Sequence, residues 1–117
     1  MQLQEYIEKS SRTSADLESP IMNNLHYTIG MVTEIGELLD VFKKNIAYNK
    51  DIDWVNVSEE IGDLCWYLAN FVRINNIDLE KIWDINIAKL QARYPDKFTE
   101  YHAQNRDLEK ERTILES

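Results

Sequence analysis

Apolar residues along this chain recur at helical spacing, and no segment shows the strict alternation of a half-buried strand. Leu3, Tyr6 and Ile7 form a narrow stripe that predicts a short helix over residues 2–11. After a polar stretch, Ser19 offers an N-cap and Pro20 a first helical residue that needs no N–H, so a long helix starts there or at Asn23. Leu25, Ile29, Val32, Leu39 and Phe42 share one face of it. Gly30 and Gly36 lie inside it at about 1 kcal/mol each relative to alanine, which implies close approach of a neighbouring helix. Lys43 and Lys44 suit the negative end of the helix dipole, and residues 47–53 read as a loop. A third helix starts near Asp53 or Ser58; Ile61, Leu64, Cys65, Leu68, Phe71 and Val72 give it the strongest apolar stripe, predicting a central element. Asn75 and Asn76 break the pattern. Asp78 then caps a fourth helix, with Ile77 and Ile82 placed as a hydrophobic staple, and Pro95 stops it near Tyr94. Residues 96–117 are highly charged, and Asp107 with Lys110 and Glu109 with Arg112 are spaced as pairs on an exposed helix.

With 117 residues the chain fits one domain, and three glycines and two prolines are too few for the turns of a β-sandwich or barrel. An all-α antiparallel helical bundle is therefore expected. Residues 1–18 are its accessory helix and loop, 19–94 its core helices and 95–117 its charged tail. A stripe as apolar as the third helix's is hard for three short helices to cover, so a homo-oligomer is expected. The net charge of −8 repels a nucleic-acid backbone but not a free nucleotide, since a cation among clustered carboxylates reverses the local sign. A single cysteine excludes an internal disulfide and a cysteine-based zinc site. No secretory or membrane-spanning pattern occurs, which leads to a cytoplasmic expectation.

The candidate chemistry is carboxylate chemistry. Glu34 and Glu37 sit three residues apart on one helix face, with Asp40 extending the ridge, and Glu60 and Asp63 repeat the spacing on the next helix. Such pairs are usually just solvated, and Glu5 with Glu8 is read that way. Two pairs on consecutive helices, each beside an apolar stripe, are different: an antiparallel hairpin brings like charges together, and Mg²⁺ is a hard cation that offsets their repulsion. On the fourth helix Asn86, Lys89 and Arg93 share a face and offer donors for phosphate oxygens, although basic residues there also favour the helix dipole.

The strings TEIGELLDVFKK at 33–44, EEIGDLCWYLANF at 59–71, NIAKLQARYPDKF at 86–98 and NRDLEKER at 105–112 together resemble the MazG-like nucleotide pyrophosphohydrolases of the all-α NTP pyrophosphatase superfamily. The resemblance spans roughly residues 25–116. It implies that Glu34, Glu37, Glu60 and Asp63 are both the catalytic set and the ligands of Mg²⁺, with Mn²⁺ as a substitute, and that Asn86, Lys89 and Arg93 contact the triphosphate. The implied reaction is hydrolysis of an NTP or dNTP to the monophosphate and pyrophosphate, as in clearance of unwanted nucleotides, by a homodimer or homotetramer. Alternatives on the same scaffold are a dUTPase-like or phosphoribosyl-ATP pyrophosphohydrolase-like specificity. A further alternative is a non-catalytic helical module whose acidic face binds a basic partner. No nucleic acid and no membrane is expected as a partner.

Other chemistry-bearing residues read as structural. His26 is expected to be partly buried with its hydrogen bonds satisfied, Cys65 to be a small buried hydrophobe, and Trp54, Trp66, Tyr67 and Trp83 to be core aromatics. The residues that would read the base are not located by the sequence.

Overall fold

The computed structural model describes all of residues 1–117 and is helical throughout, with no strand. Six helices follow in order: α1 (Leu3–Ser11), α2 (Pro20–Tyr48), α3 (Trp54–Ile74), α4 (Leu79–Arg93), α5 (Glu100–Gln104) and α6 (Leu108–Leu115). They form two compact units, Met1–Ile77 and Asp78–Ser117.

Local chemistry sets the helix ends. Ser19 accepts from the Met22 N–H with Pro20 at the first helical position, and Asp53 accepts from the Val55 and Asn56 N–H groups to start α3 at the earlier of its two expected positions. Asn49, with φ 53°, closes α2 in the left-handed conformation, so the helix runs past Lys43 and Lys44 and shortens the expected loop. Asn76, with φ 52°, ends α3. The N–H groups of Asn76 and Ile77 return to the carbonyls of Arg73 and Val72, which is a Schellman closure built on asparagine instead of glycine. Asp78 caps α4 through the Lys81 N–H.

In the unit Met1–Ile77, α2 and α3 pack antiparallel along most of their length. The Asn24 and Asn75 side chains bond each other at one end (2.7 and 3.3 Å), and Glu34 and Glu37 meet Glu60 further along. Between them the Tyr67 ring packs against Gly30 so closely that a Cβ there would overlap the ring. The glycine is needed for this close approach. Around it Tyr27, buried, forms edge contacts with Trp66, and Tyr67 with Trp66 and His26. Helix α1 packs on α3 and buries Ile7 and Ser10. The Tyr6 hydroxyl donates to the Gly62 carbonyl, and the Trp66 indole donates to Thr13 at 2.9 Å. The element expected to be accessory thus completes this small core.

The apolar stripe of α2 does not face that core. Leu25, Val32 and Leu39 are 47%, 68% and 64% exposed, with Ile29 and Ile35 exposed beside them, whereas the buried positions are Tyr27, Gly30 and Val41. α2 is apolar on both faces, and the tighter contact is made by the face that carries glycine and the acids. Similarly, Ile61 and Cys65 on α3 are exposed while Val57, Ala69, Asn70 and Val72 are buried, so Cys65 is not a core hydrophobe. Trp54 and Trp83 are also exposed, against expectation; Trp66 and Tyr67 are half-buried.

In the unit Asp78–Ser117, α4 packs on α6. The ion pairs expected within the tail do not form. Asp107 instead caps α6 by accepting the Lys110 N–H, and Arg112 pairs with Glu116. Glu111 is buried, 3% exposed, and takes Arg93 at 2.6 Å and Arg106 at 3.0 Å. A helix that reads as wet on every side therefore hides one carboxylate between two guanidinium groups.

Gly30→Ala is expected to destabilise the chain by about 1–3 kcal/mol, because the Tyr67 ring must move out of a packed aromatic cluster. Gly36→Ala meets nothing within 4 Å and is expected to be neutral or stabilising through helix propensity. Urea denaturation of both variants compares the two positions directly.

Candidate metal centre

The antiparallel pairing of α2 and α3 brings Glu34, Glu37 and Glu60 together, with one carboxylate oxygen from each within 4.8 Å of the others. Their placement follows from helical geometry. Glu34 and Glu37 are one turn apart, and both follow Gly30 on the face turned toward α3. The three differ in environment: Glu60 is 6% exposed, Glu34 half-buried and Glu37 exposed. Asp63, one turn after Glu60, falls outside the three-residue group, but its charge is close enough to act on Glu37. Asp40 is drawn off by Lys44 at 2.8 Å and Lys43 at 3.3 Å, so it takes no part.

The electrostatics of the group are unfavourable without a cation. Glu60 is held above the ordinary carboxylate range, first by the Glu34 carboxyl pressed against it and then by burial. Glu37 is raised as well, first by its contact with Glu60, then by the charge of that neighbour, with Asp63 adding less. One oxygen of Glu34 and one of Glu60 are buried without any hydrogen-bond partner. Buried acceptors of this kind are costly unless something donates to them or binds them. Hard oxygen donors, excess negative charge and unmatched lone pairs suit a hard divalent cation.

His26, two turns before Glu34, stacks on Tyr27 with ring centroids 5.2 Å apart. Its Nδ1 is buried and unpartnered, so the expectation of satisfied hydrogen bonds fails for that atom. It is not a member of the carboxylate group. On α4, Arg93 donates through Nε and one terminal nitrogen to Glu111, which holds the guanidinium in place. Asn86 and Lys89 make no side-chain hydrogen bond or ion pair to protein. Sequence reasoning missed the role of Glu111, since its spacing from Arg93 and Arg106 carries no helical signature.

Fold and site together define an all-helical protein with a cluster of three carboxylates whose chemistry would suit a divalent cation. Residues 23–98, about two-thirds of the chain and including both acidic pairs and the basic face of α4, match the MazG nucleotide pyrophosphohydrolase domain. The chain belongs to that family. No curated protein and no solved structure matches it.

The raised carboxyls carry a pH signature. A carboxyl whose value is raised on folding favours the fold fully below its ordinary value, and that contribution is lost as pH rises through the folded value. The contribution of Glu37 and Glu60 to the stability of metal-free protein should therefore be lost as pH rises from about 4 toward neutrality. Glu60→Gln should melt a few degrees above the parent at pH 7 and no higher at pH 4. Scanning calorimetry in a chelator checks this, and Mg²⁺ should restore the parent at pH 7 while leaving the variant unchanged.

Proposed function

We propose that the chain, acting as one domain, hydrolyses nucleoside triphosphates to nucleoside monophosphate and pyrophosphate with Mg²⁺ held by Glu34, Glu37, Glu60 and Asp63. The observation that carries this reading is the convergence of three carboxylates, two with unmatched buried oxygens, in a chain of the nucleotide pyrophosphohydrolase family.

Buried Glu60 and half-buried Glu34 supply fixed oxygen donors, while exposed Glu37 and Asp63 present theirs toward solvent and substrate. The cation, when bound, neutralises phosphate charge and lowers the pKa of the attacking water. That water attacks the α-phosphorus, the bond to the oxygen bridging to the β-phosphate breaks, and pyrophosphate leaves with the bridging oxygen. No side-chain nucleophile is needed. Glu37, the exposed member of the three converging carboxylates, is open to solvent and is the one assigned to accept the water's proton. Asn86, Lys89 and Arg93 are assigned to the phosphates. Lys89 acts as an unpaired point charge, and Arg93 through the terminal nitrogen that Glu111 leaves free.

The exposed apolar ridge Leu25, Ile29, Val32, Ile35 and Leu39 continues at helical spacing over much of α2, more than a monomer ordinarily leaves to water. We assign it to a second copy of this chain in a homodimer or homotetramer. No helix is long and apolar enough to cross a membrane, and the cytoplasm is the proposed compartment.

A panel of canonical and modified nucleoside triphosphates, scored for monophosphate product with Mg²⁺ and with chelator, tests the activity and separates a general hydrolase from a dUTPase-like or phosphoribosyl-ATP-specific one. No Mg²⁺-dependent product from any of them would leave the interaction-module reading. Glu37→Gln and Asp63→Asn are each expected to lower kcat by about 10²-fold or more with an unchanged helical circular dichroism spectrum. Lys89→Ala is expected to raise KM more than it lowers the melting temperature. Val32→Glu should shift the assembly to monomer in analytical ultracentrifugation, and an unshifted distribution would remove the ridge from the interface.

A further inference from the structure

The unit Asp78–Ser117 builds a corner from the string NRDLEKER, residues 105–112. Asn105 closes α5 by donating twice to the Tyr101 carbonyl, through its N–H at 2.9 Å and its side-chain amide at 2.8 Å. Asp107 opens α6 by accepting the Lys110 N–H at 3.1 Å. Arg106 stands between these two anchors, and Glu111, five residues on and 3% exposed, meets it.

Glu111 is shared. Its Oε1 accepts from Arg93 Nε at 2.8 Å and lies 2.6 Å from one Arg93 terminal nitrogen. Its Oε2 accepts from Arg106 Nε at 3.0 Å, and a terminal nitrogen of Arg106 donates to Oε1 at 3.3 Å. Each arginine thus spends its Nε and one terminal nitrogen on the carboxylate and keeps the other terminal nitrogen for a different acceptor. In Arg93 that nitrogen makes no bond to protein and is not shut away from solvent. The Tyr94 ring, its centroid 5.8 Å from the Arg93 guanidinium carbon, supports the group from a second side. Arg106 is the more open of the two, its side chain 41% exposed against 16%.

The count of charges decides what this arrangement is good for. One guanidinium would neutralise a buried carboxylate, and the second makes the group cationic. Glu111 alone would cancel Arg93 and repel the phosphate to which Arg93 is assigned; Arg106 restores the attraction. Two forked donors fixed by a common carboxylate also lose little side-chain freedom when an oxyanion arrives. Asn86 and Lys89, seven and four residues before Arg93, share its face of α4. Arg106 joins Arg93 through Glu111 and not along the helix, so no spacing in the sequence announces it.

We infer that Arg106 is a further phosphate-binding residue of this chain, and that Glu111 is the residue that positions it beside Arg93 as a pair of guanidinium groups for one polyphosphate chain. The inference rests on the assignment of Arg93 to the phosphates in the hydrolase reading above. The ligand is recognised by its charge and its paired oxygens, independently of the base.

Inorganic pyrophosphate with Mg²⁺ is the probe, because as the product of the proposed reaction it binds without turnover. In isothermal titration calorimetry on the full chain, Arg106→Gln is expected to weaken its binding by about tenfold. Arg106→Lys, which restores the charge without the fork, is expected to recover part of that loss. Glu111→Gln is expected to weaken binding as well, although it raises the net charge by one, because both guanidinium groups lose their common anchor. Arg112→Gln, also on α6 and with a side chain 73% exposed, removes the same charge as Arg106→Gln and is expected to leave the affinity as it is. With nucleoside triphosphate, Arg106→Gln should raise KM more than it lowers kcat. Arg106→Gln leaves Glu111 paired with Arg93, so it carries the test if Glu111→Gln does not fold.

Arg106-dependent binding of pyrophosphate without hydrolysis of any triphosphate would support the pair and remove the hydrolase reading alone. Hydrolysis together with a pyrophosphate affinity that Arg106→Gln leaves unchanged overturns the inference and spares that reading. The inference also falls if the parent binds no pyrophosphate, if Arg112→Gln weakens binding as much as Arg106→Gln, or if Arg106→Gln lowers the melting temperature and nothing else. Tighter binding in Glu111→Gln overturns the positioning role.

Discussion

Three like charges held in contact are the constraint on which the unit Met1–Ile77 is organised. Glu34, Glu37 and Glu60 repel one another, and burial of Glu60 adds to the cost. They are kept together because α2 and α3 are locked in register on either side of them. The Asn24–Asn75 pair fixes one end, and Tyr67 seated over Gly30 fixes the spacing one turn before Glu34. Favourable packing thus offsets a strained electrostatic arrangement of a kind that a hard cation would relieve.

The same tension explains how the faces of α2 are used. A glycine and two glutamates would normally mark a helix face for solvent, and the ridge from Leu25 to Leu39 would mark the core. In the fold these roles are reversed within the chain. The absence of a side chain at Gly30 lets the Tyr67 ring approach α2 closely, one turn before Glu34. The exposed ridge is the counterpart of that choice, and covering it with a second copy would complete the burial that its sequence pattern calls for.

Glu111 and Asp16 are handled by the opposite rule, in which the charge is matched. Glu111 is buried, yet two guanidinium groups hold its carboxyl below the ordinary range, with Arg106 the larger influence and Arg93 the smaller. Asp16 is matched by an amide and a backbone N–H. Against that background four buried atoms stand unmatched: one oxygen each of Glu34 and Glu60, the Nδ1 of His26 and the Nε of Arg73.

Periodicity and capping residues determined the helices and most of their ends. The signals are local: Ser19, Asp53, Asp78 and Asp107 each accept an N–H within three residues. The acidic pairs were legible for the same reason, since three-residue spacing fixes a helix face wherever the helix goes. Which face met which neighbour was not legible, because α2 and α3 are apolar on more than one side and only long-range packing chooses between them. Tertiary structure alone sent Cys65 and Ile61 to the surface and left Leu25, Ile29 and Val32 in the open. It alone buried Glu111 against arginines five and eighteen residues away, and paired Asn24 with Asn75 across 51 residues of chain. Such juxtapositions have no period in a sequence, and they arise only when helices fold back on one another.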